Sequence, residues 1–392
     1  MLCTVVQKRR TALLSKYRSF QQIKQQLLLT KQEAHLIRLL FCKAPAEEER
    51  ELYRDLVFDD EKQSFLLLLA RLAKRSDYAY TPKELIPRLQ GLLRYHGVNN
   101  KIVLQPAVTL LGHLEQLPVM LYGHSAMYGY YDAENPRLMG ISDLWAAPGS
   151  TDAVLRCAKK AEFQIQIESS LAANLKNPQG NLNLHKLVLL QKDPLIWECS
   201  KQILFQNRPV LVPNCTDTLI LLLRSEFRWW CIQPRHASNI KWYYDCACLL
   251  QHPDFSGWDT LAERALQLGS VQTVRIMLEL FDQSFPGWIP DDFWNKLSPY
   301  NEKKLSLALQ YGSIGSQYET HKVKSFFVKA AWWLPMICTK YHYMNSEVSY
   351  ADPPVSLLRM LRQHWGITSL TQLPALFLSR LKTKTRKKRS QP

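Results

Sequence analysis

The sequence lacks the short motifs that mark several common enzyme classes. It contains no G-x-x-x-x-G-K-[ST] phosphate-binding loop, no G-x-G-x-x-G dinucleotide fingerprint, no G-x-S-x-G nucleophile elbow and no H-E-x-x-H zinc-protease motif. Its nine cysteines include no Cys-x-x-Cys pair, the spacing typical of zinc and redox sites. The sequence therefore gives no support to P-loop hydrolysis, Rossmann-type cofactor binding, acyl transfer or zinc proteolysis.

Long apolar runs are also missing. The longest, residues 65–70 and 326–338, are too short or too interrupted to span a bilayer. The first residues are basic, but no sustained apolar stretch with a small-residue cleavage site follows them. An odd number of cysteines, nine in all, favours reduced thiols. We therefore predict a cytoplasmic protein without a transmembrane segment.

The positive charge is concentrated at the two ends of the chain. The net charge is +16, and residues 1–30 carry six Lys and Arg with no acid, while residues 380–392 carry seven with no acid. Basic ends attract nucleic acid, anionic lipid or acidic partners, and the salt dependence of such binding is steep. A solvated, disordered tail is the alternative, since no aromatic residue interrupts the C-terminal basic run to stack on bases.

Periodicity divides the chain into helical ends around an α/β core. At 392 residues, 46% hydrophobic and 11% aromatic, the chain is long and apolar enough for about two or three folded domains. The pattern predicts an α/β (α+β) fold whose mixed sheet is flanked by helices. The predicted regions are N-terminal helices over 1–100, the core over 101–192, a C-terminal helical domain over 193–290, further helices over 291–379 and the tail over 380–392.

Within these regions several boundaries can be predicted. Thr81 reads as an N-cap with Pro82 at the first helical position, and residues 182–190 read as one long strand. Pro178 and Gly180 indicate a loop over residues 174–181. From Asp193 onwards the pattern predicts helices alone.

The most informative stretch runs from residue 117 to residue 147. It predicts a buried strand over 117–122, a turn at Gly123–Ser125 and a second strand over 142–147. A glycine at a strand end lets a ligand approach the backbone, and a hydroxyl two residues later can contact a phosphate. Because residues i and i+2 of a strand face one side, the second strand presents Asp143 on one face, between Ile141 and Trp145 and against Asn183 and His185 of the next strand.

This stretch resembles a bacterial family of uncharacterised nucleotidyltransferases in the DNA polymerase β-like superfamily. The family pattern is a strand ending in Lys-Gly, then Arg-x-x-Gly-Asp-x-Asp. The resemblance extends over roughly residues 60–290. It continues in residues 182–185, Leu-Asn-Leu-His against the family's Asp-Leu-His. It continues again in residues 240–245, which match a helical Arg/Lys-Trp-x-x-Asp segment near the nucleotide pocket.

The resemblance implies a nucleoside triphosphate as ligand and Mg²⁺ as cofactor, held by carboxylates. Of the family's acids only Asp143 is kept, so it is the one candidate catalytic and metal-binding residue. Tyr122 stands where the family has lysine, Ile141 where it has the first aspartate and Asn183 where it has the third carboxylate. A single acid beside an amide and an imidazole is a poor site for a hard cation. The nucleotide-binding residues implied by the resemblance are Gly123, Ser125, Arg137, His185, Trp242 and Asp245.

Three functions stay open from the sequence. The first is a pseudoenzyme that binds a nucleotide, a peptide or a protein as an accessory subunit of a bacterial biosynthetic or modification pathway. The second is an active Mg²⁺-dependent nucleotidyltransferase that uses Asp143 with a displaced acid, Asp132 or Glu134. The third is nucleic-acid binding through the basic ends. His185 could equally be a strand histidine with one hydrogen bond, and Asp245 could equally form a structural salt bridge.

Overall fold

The computed structural model describes residues 25, 27–42, 46–54, 56, 62–114, 117–131, 139–168, 172–186, 188, 193–232 and 239–297, and the side chains of all of these except 46, 167–168, 228–232 and 239. These residues form eleven α-helices and a seven-stranded sheet. The helices are α1 Lys31–Phe41, α2 Ala46–Arg54, α3 Gln63–Arg75, α4 Ile86–Leu111, α5 Thr151–Lys160, α6 Asp193–Glu198, α7 Cys215–Ile232, α8 Asn239–Leu250, α9 Trp258–Gln267, α10 Val271–Ser284 and α11 Asp291–Lys296. The strands are β1 Val119–Leu121, β2 Ser142–Ala146, β3 Gln164–Glu168, β4 Ala172–Asn177, β5 Gly180–His185, β6 Lys201–Phe205 and β7 Arg208–Val212.

The sheet is mixed, as the sequence predicts. Its strand order is β3-β4-β5-β2-β1-β7-β6. Two neighbouring pairs are parallel, β2 with β5 and β1 with β7, and the remaining pairs are antiparallel. The chain is therefore an α/β protein whose central strands β1 and β2 are hydrogen-bonded on both sides.

Helices cover both faces of the sheet, and successive residues of β2 pack alternately into the two helical layers. Leu144 and Ala146 belong to a core formed with Leu104 of α4 and Val154 of α5. Trp145 belongs to a larger core that includes residues of α1, α3 and α7–α10. Because Asp143 is two residues before Trp145, it points toward this larger helical layer. No helix in the described ranges is long and apolar enough to cross a membrane.

The loop predicted over 174–181 is instead a β-hairpin. Strands β4 and β5 pair antiparallel with Asn177 opposite Gly180, so Pro178 and Gln179 alone form the turn. The Asn177 side chain accepts hydrogen bonds from the backbone N–H groups of Gln179 and Gly180, at 3.0 and 3.1 Å. The connection is therefore a two-residue turn that contains Pro178 rather than a loop over 174–181, and β5 ends at His185 rather than at residue 190.

Two further boundaries differ from the sequence prediction. Residues 201–212 are not helical but form the hairpin β6–β7, which adds two strands to the sheet beside β1. Helix α4 begins at Ile86 rather than at Pro82, and its first turn contains Pro87. Proline suits the first turn of a helix because its missing N–H has no intrahelical acceptor there.

Candidate functional site

Asp143 lies at the centre of a small polar cluster on β2 and β5. The parallel register places Asp143 beside Asn183 and Trp145 beside His185. Oδ1 of Asp143 accepts a hydrogen bond from Nδ2 of Asn183 at 3.1 Å and lies 2.9 Å from Nε2 of His185. A carboxylate can only accept, so Nε2 is the protonated ring nitrogen. The sequence prediction that these side chains share one face is confirmed.

The turn after β1 supports Asp143 from the other side. Gly123 has φ +55°, a conformation that favours glycine, and a Cβ placed there would lie 3.7 Å from Oδ2 of Asp143. The Ser125 hydroxyl accepts a hydrogen bond from the Asp143 backbone N–H at 2.9 Å and is fully buried. Ser125 therefore fixes the backbone of β2 at Asp143, and Gly123 lies against its carboxylate, while a contact of either residue with a phosphate stays a prediction.

Aromatic rings form the wall beside this cluster. The ring centroid of Tyr122 lies 4.5 Å from that of His185 and 5.7 Å from that of Trp145, in both cases edge to face. Trp145 in turn contacts Trp197 of α6, with 5.5 Å between the ring centroids. Tyr122, which stands where the resembling family has lysine, thus brings an aromatic ring rather than a cation to the cluster.

A second candidate site, a pocket that we call the second pocket, lies between α3, α8 and Tyr131. Its cavity volume is about 20 Å³, and it is lined by Ser64, Leu67, Leu68, Arg71, Tyr131, Lys241, Tyr244 and Asp245. Arg71 is 4% exposed, and its guanidinium carbon lies 5.1 Å from the ring centroids of both Tyr131 and Tyr244, within cation–π distance. The Tyr131 hydroxyl donates a hydrogen bond to Oδ1 of Asp245. The pocket combines two cations and one acid with aromatic walls.

The two predicted residues of α8 have different surroundings. Asp245 lines the pocket, although its residue is only 1% exposed. Trp242 is equally buried and packs on Tyr243, with 3.8 Å between ring centroids, inside the helical core. Trp242 thus has the largely buried position that tryptophan most often takes in folded proteins. Nucleotide contact by either residue remains a prediction.

The cysteines of α8 lie in the same helical layer. Burial raises the pKa of the Cys246 thiol well above its usual range, and burial next to Asp245 raises that of Cys248 to about 12. Both thiols are therefore protonated at neutral pH. Both cysteines are free thiols in the structure.

Sequence reasoning missed three residues that the structure places beside the predicted ones. Asn174 of β4 donates a hydrogen bond to Oδ1 of Asn183 at 3.0 Å. Arg71 and Tyr131 form the second pocket with Asp245. Arg71 had a signal, because a single cation interrupts an apolar stretch of α3. Asn174 had no such signal, because Pro178 and Gly180 predict a loop over its segment.

Three other predicted residues, Arg137, Asp132 and Glu134, lie outside the described residues. Within the described part of the chain, no three or more His, Cys, Asp or Glu side chains are grouped so that they could hold a metal ion. No protein-family model matches the chain, and no curated protein matches it.

Proposed function

We propose that this chain is a nucleotidyltransferase-like protein with a degenerate metal site, which binds a nucleotide as a non-catalytic, accessory subunit. Support comes from the order of elements around Asp143. A strand, a glycine turn and an antiparallel second strand carry the acid, and the parallel neighbour β5 carries Asn183 directly opposite it. This is the neighbouring-strand position from which the resembling family supplies its third carboxylate. The bacterial biosynthetic or modification pathway implied by the resemblance is part of the same proposal.

One observation carries the proposal: two donors converge on a single oxygen of Asp143. Nδ2 of Asn183 and Nε2 of His185 both lie within hydrogen-bond distance of Oδ1. Magnesium prefers oxygen ligands in octahedral geometry, carboxylates among them, and here the groups that face Oδ1 are N–H donors rather than oxygen ligands. A metal ion at Oδ1 would have to displace both hydrogen bonds and would gain only one carboxylate in return.

The second pocket supplies charge of the sign that a nucleotide needs. Arg71 and Lys241 line it together with a single acid, Asp245. The same short segment, residues 122–131, contacts both places, through Ser125 at Asp143 and through Tyr131 at Asp245. Phosphate oxygens bound there would contact Arg71 and Lys241 directly, without a bridging metal ion.

Calorimetric titration of the full chain with ATP, with and without Mg²⁺, tests this function. We expect binding whose affinity is unchanged by Mg²⁺, unaffected by Asp143→Ala and lowered about tenfold or more by Arg71→Gln. Arg94→Gln, a change at an exposed arginine of α4, is the matched control. Magnesium-dependent binding that disappears in Asp143→Ala would instead establish the active enzyme. Failure to bind ATP in either condition would rule out the nucleotide as ligand.

A gain-of-function variant tests the metal site from the opposite direction. Ile141→Asp combined with Asn183→Asp restores acids at the two positions where the family pattern has carboxylates and this chain does not, and we expect the variant to bind Mn²⁺ where the natural chain does not. Asn207→Asp, in the exposed β6–β7 turn, adds an acid far along the sheet and serves as the control. Equal Mn²⁺ binding by the natural chain and the restored variant would contradict a degenerate site.

A further inference from the structure

Helix α4 has an exposed apolar seam in addition to its buried face. Its inward side is buried at Leu89, His96, Leu104, Ala107 and Leu110. On the opposite side Tyr95, Val98 and Ile102 are 61%, 60% and 58% exposed. Their spacing of three and four residues places all three on one face of the helix. Single exposed apolar residues are ordinary, but a continuous row of three large ones marks an interaction surface.

The row follows the spacing of a coiled-coil seam. Tyr95 and Ile102 take heptad position a, and Val98 takes position d. The preceding d position is Gly91, which is exposed, and a side chain placed there would meet no atom within 4 Å. A partner helix can therefore approach the seam closely at this end.

The charges beside the seam are all positive. Position g of both heptads is basic, Arg94 and Lys101, and both residues are exposed. The sequence of α4 contains no Asp or Glu over its 26 residues. In coiled coils, residues at e and g select the partner through interhelical ion pairs. The seam therefore selects a helix with acidic flanks.

A second copy of this chain does not meet that requirement. Two antiparallel copies of α4 would place g against g, so that Arg94 and Lys101 would face cations. Two parallel copies would place g against e, and the e positions here are Leu92 and Asn99. Neither arrangement supplies an acid within α4, so the charge pattern opposes self-association through this helix.

We propose that the exposed face of α4 docks an amphipathic helix of another protein, one with apolar a and d positions and Glu or Asp beside them. The seam of Tyr95, Val98 and Ile102 supplies the buried contact. Arg94 and Lys101 supply the pairing with the acidic flank. This surface is separate from the cluster at Asp143, so the proposal does not depend on the proposed function.

Two synthetic 28-residue helical peptides test the proposal against the full-length chain. Both have Leu at every a and d position; one has Glu at every e and g position and the other has Lys. By fluorescence anisotropy we expect the acidic peptide to bind about tenfold more tightly than the basic one, because two ion pairs replace two repulsions. Equal binding of the two peptides, or no binding of the acidic one, would overturn the proposal.

Variants locate the binding on α4. Val98→Ser with Ile102→Ser should abolish binding, whereas Leu266→Ser, at a leucine of α9 that is 55% exposed, should leave it unchanged. Arg94→Glu with Lys101→Glu should reverse the preference in favour of the basic peptide. All these side chains are exposed, so unchanged circular dichroism is expected throughout. A dimer in sedimentation velocity that Val98→Ser dissociates would identify a second copy as the occupant and refute the proposal.

Discussion

Nε2 of His185 lies 2.9 Å from Oδ1 of Asp143 across two parallel strands. The two side chains are 24% and 11% exposed, so the interaction is largely shielded from water. The same oxygen also accepts from Asn183. The acid that the sequence singles out as catalytic is thus also a structural acceptor that joins β2 to β5.

The first prediction concerns the coupling between these residues. Asp143→Ala should lower the free energy of unfolding by about 2 kcal/mol, because two partly buried donors lose their acceptor. A double-mutant cycle with His185→Ala should give a coupling of about 1–2 kcal/mol by urea denaturation. Asp254→Ala removes an acid that is 51% exposed and paired with Lys201, and should cost less than about 0.5 kcal/mol. Additive effects of Asp143→Ala and His185→Ala would show that their contact contributes nothing.

The second prediction concerns the pH dependence of stability. His96 is 1% exposed, and neither ring nitrogen has a hydrogen-bond partner among the described residues. Burial, assisted by the nearby Arg71 charge, lowers the pKa of His96 below its ordinary value of 6.5. The unfolded chain then binds a proton at a pH where the folded chain does not. Stability should therefore be complete above pH 6.5 and fall as the pH decreases below it, until the folded-state pKa is reached.

His96→Leu should remove this contribution. The slope of the unfolding free energy against pH should decrease by up to about 1.4 kcal/mol per pH unit, the value for one proton. At pH 7 the variant should be as stable as the natural chain or more so, because two buried nitrogens without partners are removed. His113→Leu, at an exposed histidine just after α4, should leave the slope unchanged. Identical slopes for His96→Leu and the natural chain would contradict the assignment.

How much of the fold the sequence predicts depends on how local the signal is. The glycine turn at Gly123 and the strand over residues 142–147, which presents Asp143 and Trp145 on one face, rest on local patterns, and the structure confirms both, with β2 ending at Ala146. Two features hide the hairpin β6–β7 in the sequence. Its turn, Gln206-Asn207, contains no glycine. Leu204 is 72% exposed, so an apolar residue stands where the alternation of apolar and polar residues in a strand predicts a polar one. Helix propensity in the flanking segments favoured the wrong assignment.

The second pocket could not be predicted for a different reason. Arg71 and Asp245 are far apart in the sequence, and only the packing of α3 against α8 brings them to one cavity with Tyr131. No short-range pattern contains that information. Asp245 itself was selected through the resemblance, and the structure adds its hydrogen bond from Tyr131.

The third prediction concerns a buried ion pair between α7 and α9. Asp217 has no exposed side-chain surface, and Arg264 donates to both of its oxygens, at 2.9 and 2.8 Å. Arg264→Met would leave the carboxylate buried without its cation and should cost about 3–5 kcal/mol in urea denaturation. Adding Asp217→Leu should recover much of that loss, because no unpaired charge then remains. Lys296→Met, at a surface pair with Asp259, is the control and should leave stability unchanged. A loss in Lys296→Met equal to that in Arg264→Met would contradict the role of burial.

The fourth prediction concerns the turn of the hairpin β6–β7. Gln206 and Asn207 have φ values of +51° and +62°, the conformation of a type I′ turn, which favours Asn followed by Gly. Gln206→Asn combined with Asn207→Gly should therefore raise the free energy of unfolding by about 1 kcal/mol. Asn207→Val should lower it by at least about 1 kcal/mol, because a β-branched residue is strained at positive φ. Gln202→Asn, at an exposed position within β6, makes the same chemical change outside the turn and should be slightly destabilising. This hairpin pairs with β1 through β7. An increase in stability from the turn variant would therefore show that β6 and β7, which the sequence does not predict, fold as part of the sheet that carries Asp143. A decrease would show that the positive-φ turn is not formed in solution.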